Sequence, residues 1–258
     1  MTAIAIGLGV GLVLGGFGGG GSVLTVPALV FLLGEAPHSA ATASLVIVGI
    51  SAVIGLLIRA WAGHVRWASG VGLGAIGTFT AVTGTTLGRN LDPHVLLLAF
   101  AAVILVAALS MLRGTAEAPL VPLAAAPLAT ELTAPTRFAL LVITGAVTGL
   151  ATGLFGVGGG FLVVPALVVA LRWPTQIAIG TSLLVIVINA IASLSARVAT
   201  ESFNWRVIIP VTVAAVIGTL LGKAATDRIS SMSLSRAFAA LLVAVAAYTA
   251  TTSVIGLL

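Results

Sequence analysis

The chain has 258 residues, of which 60% are hydrophobic and 7% charged, with a net charge of +5 and a mean hydropathy of +1.28. A soluble fold of that composition has too little polar surface to cover its exterior, so most of this chain is solvated by lipid. The eleven Lys and Arg stand singly near the ends of apolar stretches, which argues against a basic nucleic-acid face, and the absence of Cys excludes disulfides, thiolate chemistry and Cys-ligated metal.

A bilayer core about 30 Å thick requires roughly 20 apolar residues per helix. In chain order, apolar stretches cover 3–33, 40–58, 67–87, 95–112, 138–171, 177–194, 207–221 and 238–257. None shows the alternation of apolar and polar residues that marks the strands of a membrane barrel, so the expected class is an all-α polytopic membrane protein. The first stretch has no basic flank and is too long for a signal-peptide core, so it is read as retained structure.

That first stretch is interrupted by Gly18, Gly19, Gly20 and Gly21, followed by Ser22 and then Pro27. Gly is costly inside a helix, and Pro lacks the N–H that the preceding turn would accept. The spacing predicts a half-helix, an unwound glycine segment, and a second half-helix beginning near the Pro, either discontinuous or re-entrant. Non-helical backbone at membrane depth is tolerated only where protein buries it or a cavity faces it. The exposed N–H groups of a half-helix N-terminus favour an anion there.

The stretch at 138–171 repeats the pattern. Shifting the chain by 138 positions lays Phe17-Gly18-Gly19-Gly20-Gly21 on Phe155-Gly156-Val157-Gly158-Gly159 and Pro27-Ala28-Leu29-Val30 on Pro165-Ala166-Leu167-Val168. The same register pairs Gly7, Gly11 and Gly15 with Gly145, Gly149 and Gly153, Ser44 with Ser182, Arg59 with Arg197 and Trp67 with Trp205. The chain is therefore expected to hold two homologous four-element repeats, 1–113 and 135–258, joined by a linker at 114–134 that carries Pro119, Pro122 and Pro127. The four-residue spacing of the earlier glycines is that of a packing ridge, whereas consecutive glycines make no ridge.

Candidate substrate-binding residues are therefore Gly18, Gly19, Gly20, Gly21 and Ser22 in the first repeat and Gly156, Gly158, Gly159 and Gly160 in the second. The next element of each repeat adds Thr42 and Ser44, and Thr181, Ser182 and Asn189, whose donors suit anion oxygens. Ser and Thr in membrane helices equally bond back to their own backbone. His38 is a candidate for proton coupling, although Gln176 replaces it in the other repeat. Three separated His and six acids offer no metal-ligand spacing, so no metal or cofactor is expected.

Arg59, Arg197, Arg89 and Lys223 are read as helix-end cations that snorkel to the interface. If the broken element of each repeat returns to its own side, each half crosses three times and the repeats are inverted. Arg59, Arg66, Arg113, Arg137, Arg172, Lys223, Arg228 and Arg236 then share one side against Arg89, Arg197 and Arg206. Eight against three suits the rule that cytoplasmic loops are positive, and puts the amino terminus outside.

The twin Phe-Gly-x-Gly-Gly motifs with their downstream Val-Pro-Ala-Leu, followed by Ser-Leu at Ser44 and Ser182 and by Gly-Thr-x-Leu-Gly-Arg/Lys at Gly84 and Gly218, resemble the TauE/SafE family of sulfite exporters. The resemblance covers the chain apart from the linker. It implies a carrier of the prokaryotic inner membrane for sulfite, sulfoacetate or related organosulfonates and carboxylates, commonly in the export direction.

The expected function is thus a secondary transporter that binds a small anion between two broken helices and alternates access to it. The alternative is an anion channel with the same backbone donors. An intramembrane enzyme would need converging acids or bases within the bilayer, and a scaffold would need no repeated glycine break. The expected partners are the anion and the bilayer, with no nucleic acid; a homodimer is compatible with the sequence, which leaves oligomeric state open.

Overall fold

The structure is a computed structural model that describes residues 2–18, 20–89, 91–114, 134–155, 160–169, 171, 173–197, 203–226 and 231–255. The described residues form ten α-helices and no strand: α1 Thr2–Phe17, α2 Gly20–Leu33, α3 Pro37–Trp61, α4 Trp67–Arg89, α5 Pro93–Gly114, α6 Ala134–Phe155, α7 Gly160–Val169, α8 Thr175–Arg197, α9 Trp205–Thr226 and α10 Ser231–Ile255. The expected linker lies outside the described residues except for Gly114 and Ala134, which end α5 and begin α6.

The first apolar stretch folds as two helices. Gly18, at φ +70°, occupies the left-handed region that stops α1, a conformation costly for any residue with a Cβ. Gly21 packs back against Val10 and Leu14, so α2 doubles back along α1 as a hairpin. The position of the proline differs from the expectation. Pro27 and Pro165 lie inside α2 and α7, seven and five residues beyond the first residues Gly20 and Gly160, rather than in the first turn. Glycine alone ends the first half-helix, and the second begins as soon as the backbone has turned. The carbonyl four residues before each proline then forgoes a helical partner.

At its far end α2 closes with two hydrogen bonds, Gly34 N–H to the Val30 carbonyl at 3.2 Å and Glu35 N–H to the Leu29 carbonyl at 3.1 Å. This pattern satisfies carbonyls left over at a helix C-terminus. After α7, the Trp173 N–H reaches the Leu167 carbonyl at 3.1 Å in the same way.

Packing partners fix the directions of the helices. Gly7, Gly11 and Gly15 rest in ascending order on Val211, Ala215 and Thr219, so α1 and α9 run parallel. Gly145, Gly149 and Gly153 rest on Leu73, Gly77 and Ala81, so α6 runs parallel to α4. Without side chains the ridges let backbones meet, which in lipid is a main source of helix association. Between these pairs α3 and α8 cross antiparallel, with Gly49 facing Ala190 and Gly55 facing Leu183. Asn204, at the start of α9, donates to the Glu35 carboxylate at 2.7 Å, placing the end of α2 beside the end of the molecule where α9 and α1 begin.

Buried apolar side chains gather where α5 and α10 meet the two short helices. Phe100 packs on Phe155 at 5.3 Å between ring centroids and Phe238 on Phe17 at 5.6 Å. The outer surface is also apolar: Phe79, Val106, Ile191 and Leu32 are among its exposed side chains. Polar groups such as Ser44, Ser182 and Asn189 are instead fully buried. This is the reverse of a water-soluble protein. Helices α3 and α8, and α9 over Trp205–Ala225, are long and apolar enough to cross a membrane, and Trp61, Trp67 and Trp205 mark helix ends as interfacial aromatic residues do.

Candidate functional site

The centre of the molecule is built on α3 and α8. Arg59, in the last turn of α3, is only 4% exposed, and Arg197, in the last turn of α8, only 2%. Neither snorkels to the interface as the sequence reading expected. Arg59 donates through Nη2 to the Gly15 carbonyl at 2.8 Å and more weakly to that of Gly16 at 3.4 Å. Arg197 donates through Nη2 to the Gly153 carbonyl at 2.6 Å and through Nη1 to Thr42 Oγ1 at 3.2 Å.

The cause is electrostatic. Gly18 turns the chain after Phe17, so carbonyls of the last turn of α1 form the negative end of its helix dipole; Gly153 lies likewise in the last turn of α6, which ends at Phe155. In lipid, each such carbonyl left bare costs several kcal/mol, on the order of what makes irregular backbone rare at membrane depth. A guanidinium supplies several donors and a full positive charge at that spot. Its own burial is compensated because it arrives already hydrogen-bonded.

The predicted site residues fall into separate neighbourhoods. Gly18 lies against α8, where a Cβ would come within 2.7 Å of Ile179 Cγ2 and 3.0 Å of Ser182 Oγ. Thr42 meets Arg197 and, through it, the end of α6. Ser182 and Arg197 are fifteen residues apart, which is about 22 Å along a helix, so the break after α1 and the end of α6 reach opposite ends of α8. Gly20 begins α2, Gly21 and Ser22 are buried in its first turn, and Gly160 begins α7. Gly19, Gly156, Gly158 and Gly159 lie outside the described residues.

Several predicted donors have protein partners. The Ser182 hydroxyl donates to the Ile179 carbonyl at 2.8 Å, and Thr42 donates to the His38 carbonyl at 3.2 Å. Thr181 Oγ1 accepts from the Arg66 N–H at 3.1 Å, which pins the loop between α3 and α4 onto the first turns of α8. Arg66 also stacks over the buried Trp173 ring at 4.6 Å. Ser44 is fully buried, and His38 is half-buried at the start of α3.

Asn189 is different. Its side chain is fully buried, yet neither Oδ1 nor Nδ2 has a hydrogen-bond partner among the described residues. A Cβ added to Gly77 on α4 would lie 2.5 Å from Oδ1 and 2.9 Å from Nδ2, so the amide fits a space left by the missing side chain. Ser51 and Ser193, equally buried and likewise without a partner, were missed by the sequence reading. The signal was available as helical periodicity. Ser44, Ser51 and Arg59 share one face of α3, and Ser182, Asn189, Ser193 and Arg197 share one face of α8.

A helical membrane protein that keeps its exterior apolar and buries hydroxyls, an amide and two guanidinium groups inside belongs to the class that handles polar solutes. Comparison with known proteins gives the family. Residues 3–249 match the family described as "Sulfite exporter TauE/SafE", and the chain belongs to that family. A "Probable membrane transporter protein" of Xylella fastidiosa is 37% identical over 251 residues, covering 95% of this chain and 93% of the relative. One of the same description from Methanocaldococcus jannaschii is 33% identical over 117 residues, covering 43% of this chain and 44% of the relative. No solved structure matches the chain significantly. The protein is a membrane transporter and not an enzyme.

Proposed function

We propose that the protein is a secondary transporter of the inner (cytoplasmic) membrane that exports a small anion such as sulfite, sulfoacetate or a related organosulfonate or carboxylate. The observation that carries this reading is the pair of arginines, Arg59 and Arg197, each buried within the protein and bonded to a last-turn carbonyl of α1 or α6. Buried positive charge beside glycine-ended hairpins favours an anionic solute. The family and its relatives support transport, and the sulfite exporter description of the family supports the substrate class. The chain carries no nucleotide-binding motif, so an ion gradient, the membrane potential or a partner supplies the energy. His38 is the proposed proton-coupling group.

In this reading α1–α5 and α6–α10 are two inverted repeats, each opening with a re-entrant hairpin and crossing three times. Several features support it: α3 runs antiparallel to its counterpart α8, α1 lies parallel to α9, and α6 lies parallel to α4. With the buried Arg59 and Arg197 removed from the loop count, seven cations face two, which still favours an external amino terminus. Substrate passes between the two hairpins along α3 and α8, and rocking of one repeat against the other exposes it to either side.

Counterflow of labelled sulfite or sulfoacetate into proteoliposomes tests the proposal. Exchange that accelerates with unlabelled anion inside is expected; large single-channel currents without counterflow would replace the carrier with the channel alternative.

A further inference from the structure

We infer that the oxyanion headgroup of the substrate binds on one face of α8, between Asn189 and Ser193 with Arg197 beyond them, rather than directly at the glycine breaks. The inference rests on the anion-transport reading above and assigns its binding chemistry to named side chains.

Asn189, Ser193 and Arg197 follow one another at four-residue intervals, so they stand on the same face of α8 with about 6 Å of rise between successive residues. All three are buried, at 0%, 0% and 2% exposure. The Asn189 side chain is directed at Gly77 of α4, and Arg197 reaches Gly153 of α6. The surface facing Asn189 is therefore glycine backbone, against which the amide itself packs. Neither the Asn189 amide nor the Ser193 hydroxyl has a partner among the described residues. Buried polar groups are paired as a rule, and two in succession on one helix face, both unpaired, call for a ligand that completes them.

The chemistry of the donors selects the ligand. An amide NH2 offers two protons, a hydroxyl one and a guanidinium several, while the amide oxygen and the serine oxygen are the acceptors. Two donors about 6 Å apart, each reaching about 3 Å, bracket a single compact headgroup carrying at least two acceptor oxygens. Sulfite, a sulfonate and a carboxylate share that chemistry. A bare metal cation would use the oxygens but would then sit one helical turn from the Arg197 charge. In the first repeat the equivalent positions hold Ser51, Gly55 and Arg59, so the amide and the second hydroxyl are absent there. The headgroup site is consequently single, and an anion with one charged end is held in one orientation.

The test is calorimetric titration of the purified full chain with sulfite, sulfoacetate, sulfate and acetate in turn, which also separates the headgroups. Ser193→Ala, the conservative variant, is expected to weaken the best anion about tenfold, and Asn189→Asp, which removes the donors and adds a negative charge, about a hundredfold or more. Ser195→Ala, on the exposed part of the same helix, is the matched control and should bind as the unaltered chain does. Size-exclusion profiles identify any variant that fails to fold, and Ser193→Ala keeps the question decidable should Asn189→Asp be lost. Unchanged affinity in folded Ser193→Ala and Asn189→Asp would overturn the inference while leaving anion transport standing. Absence of binding by the unaltered chain to all four anions would overturn both.

Discussion

Arg197 and Gly153 are joined by a 2.6 Å hydrogen bond from a buried guanidinium to a backbone carbonyl in the last turn of α6. Arg59 and Gly15 repeat it at 2.8 Å, and in both pairs the two residues lie 44 positions apart. Each arginine ties a last-turn carbonyl of one helix, α1 or α6, to the last turn of α3 or α8.

Removing that tie should be costly. Arg59→Ala leaves the Gly15 carbonyl bare in an apolar interior and should destabilise the fold by about 3 kcal/mol, seen as a drop of several degrees in thermal midpoint in detergent. Arg59→Lys keeps the charge but not the fork of donors and should fall between. A midpoint within a degree of the unaltered protein for Arg59→Ala would mean that the side chain lies in water after all.

The glycine ridge offers a paired comparison within one helix. Gly11→Ala places a methyl group on the backbone of Ala215 and should separate α1 from α9, costing about 1–3 kcal/mol or more and lowering the yield of monodisperse protein. Gly9→Ala meets nothing within 4 Å and should be neutral or stabilising by up to about 1 kcal/mol, since alanine is the better helix former. Equal behaviour of the two variants in thermal unfolding would refute the packing assigned to α1.

At the hairpin break, Gly18→Ala combines a left-handed backbone that costs about 1–2 kcal/mol with a Cβ crowding Ile179 and Ser182. Transport should fall at least tenfold while the protein still inserts. The same result is expected for Gly158→Ala and Gly159→Ala from their place in the repeat. Full counterflow activity in all three would remove the breaks from the transport path.

Topology is tested with reporter fusions after Gly63 and after Glu201. The antiparallel course of α3 and α8 predicts opposite sides for these two loops, because Gly63 follows the end of α3 and Glu201 follows the end of α8. Activity of the same reporter at both positions would end the inverted arrangement.

Much of the molecule is written in the order of its residues. Composition alone decided that lipid is the solvent, because no arrangement of these side chains covers a soluble surface. Gly18, where α1 ends, takes a left-handed backbone that its residue type permits, a local property legible in the sequence. The proline was misleading for a related reason: Pro27 can be carried within α2 once Gly18 has already turned the chain, so its presence did not mark where the helix begins. What the tertiary structure decided was the environment of each polar group. A helix-end arginine is read from sequence as snorkelling, but Arg197 is buried because the end of α6, forty-four residues away in sequence, offers it a carbonyl. Asn189 likewise is an ordinary helix residue until α4 supplies Gly77 opposite it. Period and composition set the elements and their solvent; the pairing of charges and donors depends on which distant backbone they meet, and that only the packing of the helices determines.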